Sequence, residues 1–219
     1  MANPWKIFKP ALQDTVKTAN GLTRAVEEAL STDDDLRYKR FTAETLNHVE
    51  GQALDVVGCI FERCVFGEMD LKRISFVDCI FEKCEWSNAH LIRPVFQRVE
   101  FINCRMTGLE FLRGTLMNSY FKNCMMDYAS LSETKLDRVC FEKCRMQESL
   151  WSEVTLPKAR FLACDMKKAQ WMRTPLAGID ISTCDIEGWI ISLLDIRGVK
   201  VTASQLISLS GLLGVEIIS

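Results

Sequence analysis

The stretch Cys79-Ile-Phe-Glu-Lys-Cys-Glu-Trp-Ser-Asn-Ala-His-Leu91 decides the fold. Large apolar residues stand five apart at Phe81, Trp86 and Leu91, and a smaller one precedes each by two, at Cys79, Cys84 and Ala89. Working outward, the register runs back through Phe76, Leu71, Phe66, Phe61 and Val56, and forward through Phe96 and Phe101 to Ile196 and Val201. A helix would repeat every three or four residues and a half-buried strand every two. Neither accounts for a period of five held over most of a chain. Sustained self-similarity at a fixed period marks a solenoid.

A longer period of 20 lies over the first. Phe61, Phe81, Phe101, Phe121, Phe141 and Phe161 share one column, and Cys64, Cys84, Cys104, Cys124, Cys144, Cys164 and Cys184 another. Met106, Met126, Met146 and Met166 make a third, and Leu116, Leu136, Leu156 and Leu176 a fourth. Four five-residue units therefore close one coil. The sequence predicts an all-β solenoid, a four-sided tube whose coils lie roughly 4.8 Å apart, the strand-pairing distance. Each coil hydrogen-bonds to the next and so satisfies main-chain groups that burial would leave unpaired. Large and small residues share a narrow lumen, and stacked Phe columns add aromatic contact. Trp189 and Leu194 break the size rule, so the last coil is expected to widen or to open toward a cap. Pro94, Pro157 and Pro175 each remove a donor and predict local ladder breaks.

Composition bounds the class. The 219 residues are 48% hydrophobic and 26% charged with a net charge of −2, ordinary values that favour neither nucleic acid nor membrane as partner. No apolar run approaches the roughly 20 residues of a membrane helix. The start, Met1-Ala-Asn-Pro-Trp-Lys6, lacks the pattern of a signal peptide, so a cytoplasmic protein with reduced thiols is expected. Nine of the ten cysteines sit in the five-residue register and only Cys140 lies outside it. Without close Cys-x-x-Cys pairs they read as buried filler, not as zinc ligands or disulfides. The two histidines, His48 and His90, are isolated, and there is no phosphate-binding glycine loop and no nucleophile beside a base. The expectation is no enzyme, no cofactor, no metal and no small-molecule substrate.

Three segments follow. Residues 1–53 read as a partly helical N-terminal cap, with a helix over Thr15–Leu30, a stop at Ser31-Thr-Asp-Asp-Asp35, and a first irregular coil at Leu36, Phe41 and Leu46. Residues 54–201 are the repeat. In 202–219, Thr202-Ala-Ser-Gln205 has the form of a capping box. A helix is expected to about Leu213, then a stop at Gly214 and a short strand over Val215–Ile218. Leu206, Leu209, Leu212, Leu213, Val215 and Ile217 are more apolar surface than a short tail hides. They point to a cap on the sheet edge or, more sharply, to a homodimer interface.

Function is left to the outside of the tube. From residue 54 to 200 there are 20 acidic and 20 basic residues. The side centred on 66, 86, 106 and onward carries Glu68, Glu85, Asp127, Glu148, Asp165, Asp185 and Glu187 against Arg105, Arg145, Lys167 and Lys168, a balance of −3. The side centred on 76, 96, 116 and onward balances at +2. An acidic stripe on a rigid rod suggests a partner with a basic groove.

Units such as Asp127-Tyr-Ala-Ser-Leu131 and Met69-Asp-Leu-Lys-Arg73 resemble the pentapeptide-repeat family. The stretch Leu194-Asp-Ile-Arg-Gly-Val-Lys-Val201, with the terminal helix and Gly214-Val-Glu-Ile-Ile218, is similar to the end of Qnr-type quinolone-resistance proteins of the chromosomal, loop-less kind. The resemblance implies a right-handed quadrilateral β-helix that dimerises through its C-terminus. It also implies binding to DNA gyrase and topoisomerase IV as a mimic of duplex DNA, with protection of both from quinolones and no direct nucleic-acid contact. Loops that some members need for protection have no counterpart in this register. About seven coils make roughly 35 Å, a length over which duplex DNA carries about 20 charges. Mimicry here would rest on shape and one acidic side.

Overall fold

The computed structural model describes residues 6–13, 16–46, 48–67 and 69–213. The chain winds into a parallel β-solenoid of about nine turns, followed by a short helix. Each strand pairs with its counterpart one full coil later, from Leu36↔Val56 to Asp180↔Lys200. One slip occurs where Asp137 pairs with Lys158, beside Pro157, which has no N–H for the ladder. The coil register thus reaches back to Leu36, and Lys17–Thr18 add an edge strand beneath Lys39 and Arg40.

Inside the tube the columns stack as their spacing requires. The rings of Phe61, Phe81, Phe101, Phe121 and Phe141 lie parallel at 4.8–4.9 Å between centroids. Phe66 stacks on Trp86 at 3.9 Å, and Trp151 on Trp171 at 4.9 Å. The small position has a second duty besides leaving room. Cys84 Sγ donates to Phe61 O at 3.2 Å and Cys104 Sγ to Phe81 O at 3.3 Å. On another face Thr134 Oγ1 and Thr174 Oγ1 donate to Phe111 O and Trp151 O. A small side chain with a polar hydrogen fills the lumen and ties its coil to the one below. All ten thiols are free and buried. Burial pushes Cys59 and Cys140 up to about 11 and Cys79 well above the ordinary thiol range, so these stay protonated.

The corners were not legible in the sequence. The residue two past the inward large one adopts a left-handed backbone, as at Lys83 (φ 54), Arg113 (φ 55), Glu133 (φ 50), Glu153 (φ 56) and Arg173 (φ 48). Such φ values normally favour Gly or Asn. Here the side chains pair along each edge: Asp78 with Arg98 at 2.6 Å, Arg113 with Glu133 at 3.0 Å, Glu153 with Arg173 at 2.6 Å. Asn123 donates to Asn103 at 3.1 Å in the same way. At Gly58 (φ 65) a Cβ would lie 2.6 Å from the Tyr38 ring, so that corner needs glycine for closeness as well as for backbone.

Both ends are closed. Helix α1 spans Leu22–Thr32 and buries Leu22, Val26 and Ala29 against the first coil. It starts later than the expected Thr15 because the main chain of Lys17 and Ala19 is committed to Tyr38 and Arg40, and Gly21 (φ 77) turns the chain. Glu44 accepts from Gly21 N at 3.1 Å, holding that turn to the tube. Residues 6–13 run over the outside, with Ala11 N–H donating to Asp78 at 2.8 Å. At the far end α2 (Ala203–Leu209) carries the expected capping box between Thr202 and Gln205. A 3-10 turn, Ser210–Leu213, follows it. Gln205 Nε2 donates to Ile181 O and Cys184 O, both at 2.8 Å. One coil earlier, Cys164 O takes the N–H of Asp185. The Gln205 amide therefore stands in for the next coil's main chain. Trp189 fills the last turn with its Nε1 on Met166 O at 2.8 Å, while Leu194 is 72% exposed. Of the two oversized residues, the last coil thus takes Trp189 inside and turns Leu194 out.

Candidate partner-binding surface

Each inward residue leaves its two neighbours and the corner residue facing out, so the rod presents four flat sides and four charged edges. The side read as acidic is mostly neutralised by its own cations. Glu85 pairs with Arg105 at 3.6 Å, Glu148 with Lys168 at 3.9 Å, and Lys167 with both Asp185 at 3.2 Å and Glu187 at 3.6 Å. Asp127 is buried and paired with Arg145. Asp165 accepts from Gln147 Nε2 at 2.6 Å and from Lys167 N. Glu68 lies outside the described residues. Carboxylates a full repeat apart in sequence sit one coil apart in space, within reach of Arg and Lys side chains, and the sequence count did not register that pairing.

Of the tail residues expected at an interface, Leu206 is exposed and Ile207 beside it is too. Leu209 is buried against the last coil, and Leu212 is partly buried there. Leu209 therefore belongs to the chain's own core, because α2 covers the end of the tube. The backbone of Leu213 ends the 3-10 turn, and Val215 and Ile217 lie outside the described residues. Ile190, Leu193 and Leu194 extend the exposed apolar area around this end. Sequence reasoning marked Leu194 only for its size and missed Ile190 and Leu193, since the repeat register hides which residues of a final coil lack a successor.

His90 is exposed and pairs with Glu110 at 2.5 Å, and His48 pairs with Glu50 at 2.9 Å. Among the described residues no group of three His, Cys, Asp or Glu is placed to hold a metal, and no helix is long and apolar enough to cross a membrane. A cleft of about 240 Å³ opens where the ladder on the Phe side stops after Phe161, lined by Arg160, Asp180, Ser182, Thr183 and Lys200. Its charges are of both signs.

Residues 70–108 match the family profile described as pentapeptide repeats (8 copies), and residues 95–171 the one described as a pentapeptide repeat region. The coils over residues 70–171 are pentapeptide repeats. No curated protein matches the sequence. Among solved structures, the pentapeptide-repeat chain is similar to a trypsin-treated QnrB1, a plasmid-mediated fluoroquinolone resistance protein. Identity is 16%, coverage 84% of this chain and 98% of that one, and the TM-score 0.45. It is also similar to HetL of the cyanobacterium Nostoc, a pentapeptide repeat protein involved in heterocyst differentiation regulation, at 11% identity and a TM-score of 0.36. That match covers 76% of this chain and 86% of HetL.

Proposed function

We propose that this rod is a non-enzymatic, cytoplasmic protein-binding scaffold whose partners are the bacterial type II topoisomerases, DNA gyrase and topoisomerase IV. On this reading it occupies their DNA-binding surface as a shape mimic and protects them from quinolones. The observation that carries the reading is the four-sided rod, whose coils pair one repeat apart from Leu36 to Lys200 with a single slip at Asp137. The similarity of its tail sequence to Qnr-type proteins supplies the partner.

Magnitudes say what kind of mimic it is. About nine turns at roughly 4.8 Å give a rod near 43 Å, against which duplex DNA of equal length sets about 25 negative charges. The formal net charge is −2 and the edges are ion-paired. Girth and straightness are what the rod can copy, with Asp165 the carboxylate of the acidic side that no cation pairs among the described residues. A homodimer through the C-terminal end belongs to the same proposal, because Ile190, Leu194, Leu206 and Ile207 are exposed there.

The test is gyrase supercoiling in the presence of ciprofloxacin, with the rod titrated in. Rescue is expected, weakened by Asp165→Lys with Glu148→Lys at unchanged rod stability. Absence of rescue over a broad range of ratios would remove the topoisomerase reading and leave a scaffold for another protein. Leu206→Asp with Ile207→Asp is expected to give a monomer by light scattering.

A further inference from the structure

On the Phe side the ladder ends one coil early. The strand Thr155–Leu162 pairs below with Lys135–Glu142 and is an edge of its sheet. The chain passes above it again, but residues 178–181 pair upward instead. Gly178 N–H donates to Gly198 O, Ile181 N–H to Lys200 O, and Lys200 N–H to Ile179 O. The rungs that should point down are diverted. Ser182 N–H donates to its neighbour Asp180 Oδ1 at 3.0 Å, and Ala163 N–H goes to Thr183 Oγ1 at 3.0 Å. One coil below, Lys143 N–H meets main chain at Leu162 O. The thiol series stops as well, since Cys144 and Cys164 donate to Phe121 O and Phe141 O but no thiol reaches Phe161 O among the described residues.

In a parallel ladder a residue that bonds the strand below presents nothing upward, and its neighbour does the reverse. Leu162 O faces down, so Phe161 turns its N–H and C=O up into the cleft of about 240 Å³. Phe161 is 1% exposed, and neither group has a hydrogen bond among the described residues. More than about 90% of buried main-chain groups are paired, so a donor and an acceptor left open together call for an occupant.

The walls say of what kind. Arg160 and Lys200 stand one coil below and one above Asp180. All three line the cleft, two cations against one carboxylate that already holds Ser182 N–H. A bare anion would serve the cations and Phe161 N–H but leave Phe161 O without a donor. An extended peptide brings N–H and C=O together, as addition to a strand edge requires. Shape decides which part of a peptide. Thr183 closes one corner through its bond to Ala163, while the other is open, since a Cβ on Gly178 would meet nothing within 4 Å. A chain running through is blocked and a chain end is not, and two cations select the carboxylate end. From Ala159 to Leu162 the open edge measures about 10 Å at about 3.3 Å per residue, room for about three residues.

We propose that this cleft binds the C-terminal residues of a protein partner, added as a short strand beside Phe161 with the terminal carboxylate held by Arg160 and Lys200. The inference goes beyond the topoisomerase reading and needs only that the rod binds proteins.

The experiment pans random hexapeptides with free C-termini against the purified full chain and measures the best binder by fluorescence anisotropy. Amidating that peptide's C-terminus is expected to cost tenfold or more in affinity, and so is Arg160→Gln with Lys200→Gln. Arg113→Gln with Lys143→Gln removes the same charge from exposed edges elsewhere and is expected to change affinity less than twofold. An unchanged thermal melt checks the fold of each variant. Hydrogen exchange read by NMR follows the strand itself. The Phe161 amide is expected to exchange at least tenfold faster than that of Phe141 in the free protein, and to slow at least tenfold with peptide bound. No binder from the library, or one indifferent to amidation or to Arg160 and Lys200, would overturn the proposal. So would inorganic phosphate binding as tightly as the peptide, or a Phe161 amide that peptide does not slow, which leaves water as the occupant. A Phe161 amide as slow as Phe141 in the free protein would also overturn it, by placing this chain or a second copy in the cleft. Failed gyrase rescue with peptide binding intact overturns only the preceding reading, and rescue without peptide binding only this one.

Discussion

Replacing Gln205 with Ala tests how the solenoid is stopped. Four hydrogen bonds go at once: Nε2 to Ile181 O, Nε2 to Cys184 O and Thr202 N to Oε1, each at 2.8 Å, and Thr202 Oγ1 to Oε1 at 3.3 Å. Gln205 is 9% exposed, so two carbonyls at the end of the ladder lose their donor in a nearly dry place. A buried group left unsatisfied costs about 1–3 kcal/mol. Water reaching the slightly exposed Gln205 site makes good part of that, which sets the expectation at about 2–4 kcal/mol for the variant. Thr202→Ala keeps the Gln205 amide on the carbonyls and removes only a helix cap, for about 0.5–2 kcal/mol. Urea unfolding followed by circular dichroism gives the two differences, and hydrogen exchange locates them. The Ala variant is expected to exchange faster across 181–209 and to leave the coils around Phe101 unchanged, because each coil touches only its neighbours. A Gln205→Ala protein as stable as the parent to within about 0.5 kcal/mol, the low end of a single hydrogen bond's net worth, would refute the claim that this side chain replaces a coil. So would a loss equal to that of Thr202→Ala.

Three further outcomes are expected. Phe121→Ala removes a ring stacked at 4.8 Å on both Phe101 and Phe141, and should cost about 3–5 kcal/mol in the same urea assay. Burial is the largest influence on Asp78 and pushes its carboxyl up. The Arg98 guanidinium and the Ala11 N–H together outweigh it and hold the group below its ordinary value. The stability it lends is complete above an unfolded carboxyl's 3.8 and is lost as the pH falls through the lower folded value. The Ala11 amide should accordingly exchange at least tenfold faster in Asp78→Asn. An aromatic disulfide reagent should find no reactive thiol in the folded rod and all ten in denaturant, and rapid labelling of the native protein would contradict the sealed lumen.

How far the sequence could be read follows from what each part depends on. The Phe and Cys columns were legible because an inward side chain answers to one constraint, the width of the lumen, met again in every coil. The capping box at Thr202 was legible because it is local. The start of α1 was not, since Lys17 and Ala19 are held by Tyr38 and Arg40 across the edge of a sheet. The acidic stripe was overread: Glu85 and Arg105 are distant in sequence but only one coil apart, so a count by side sees charges where the structure has pairs.

By itself, then, the sequence determined the tube, its four-sided section and the identity of its interior, since a repeating side-chain size can be met only by a repeating environment. The tertiary structure alone decided the rest. It set the left-handed corners, many of them at Arg, Lys or Glu where no Gly or Asn announces a turn, the polar hydrogen that makes Cys or Thr more than a small residue, and the Gln205 amide that ends the ladder. It also decided which charges are satisfied. Those features depend on which residues lie one coil above or below, a relation through space that local sequence does not contain.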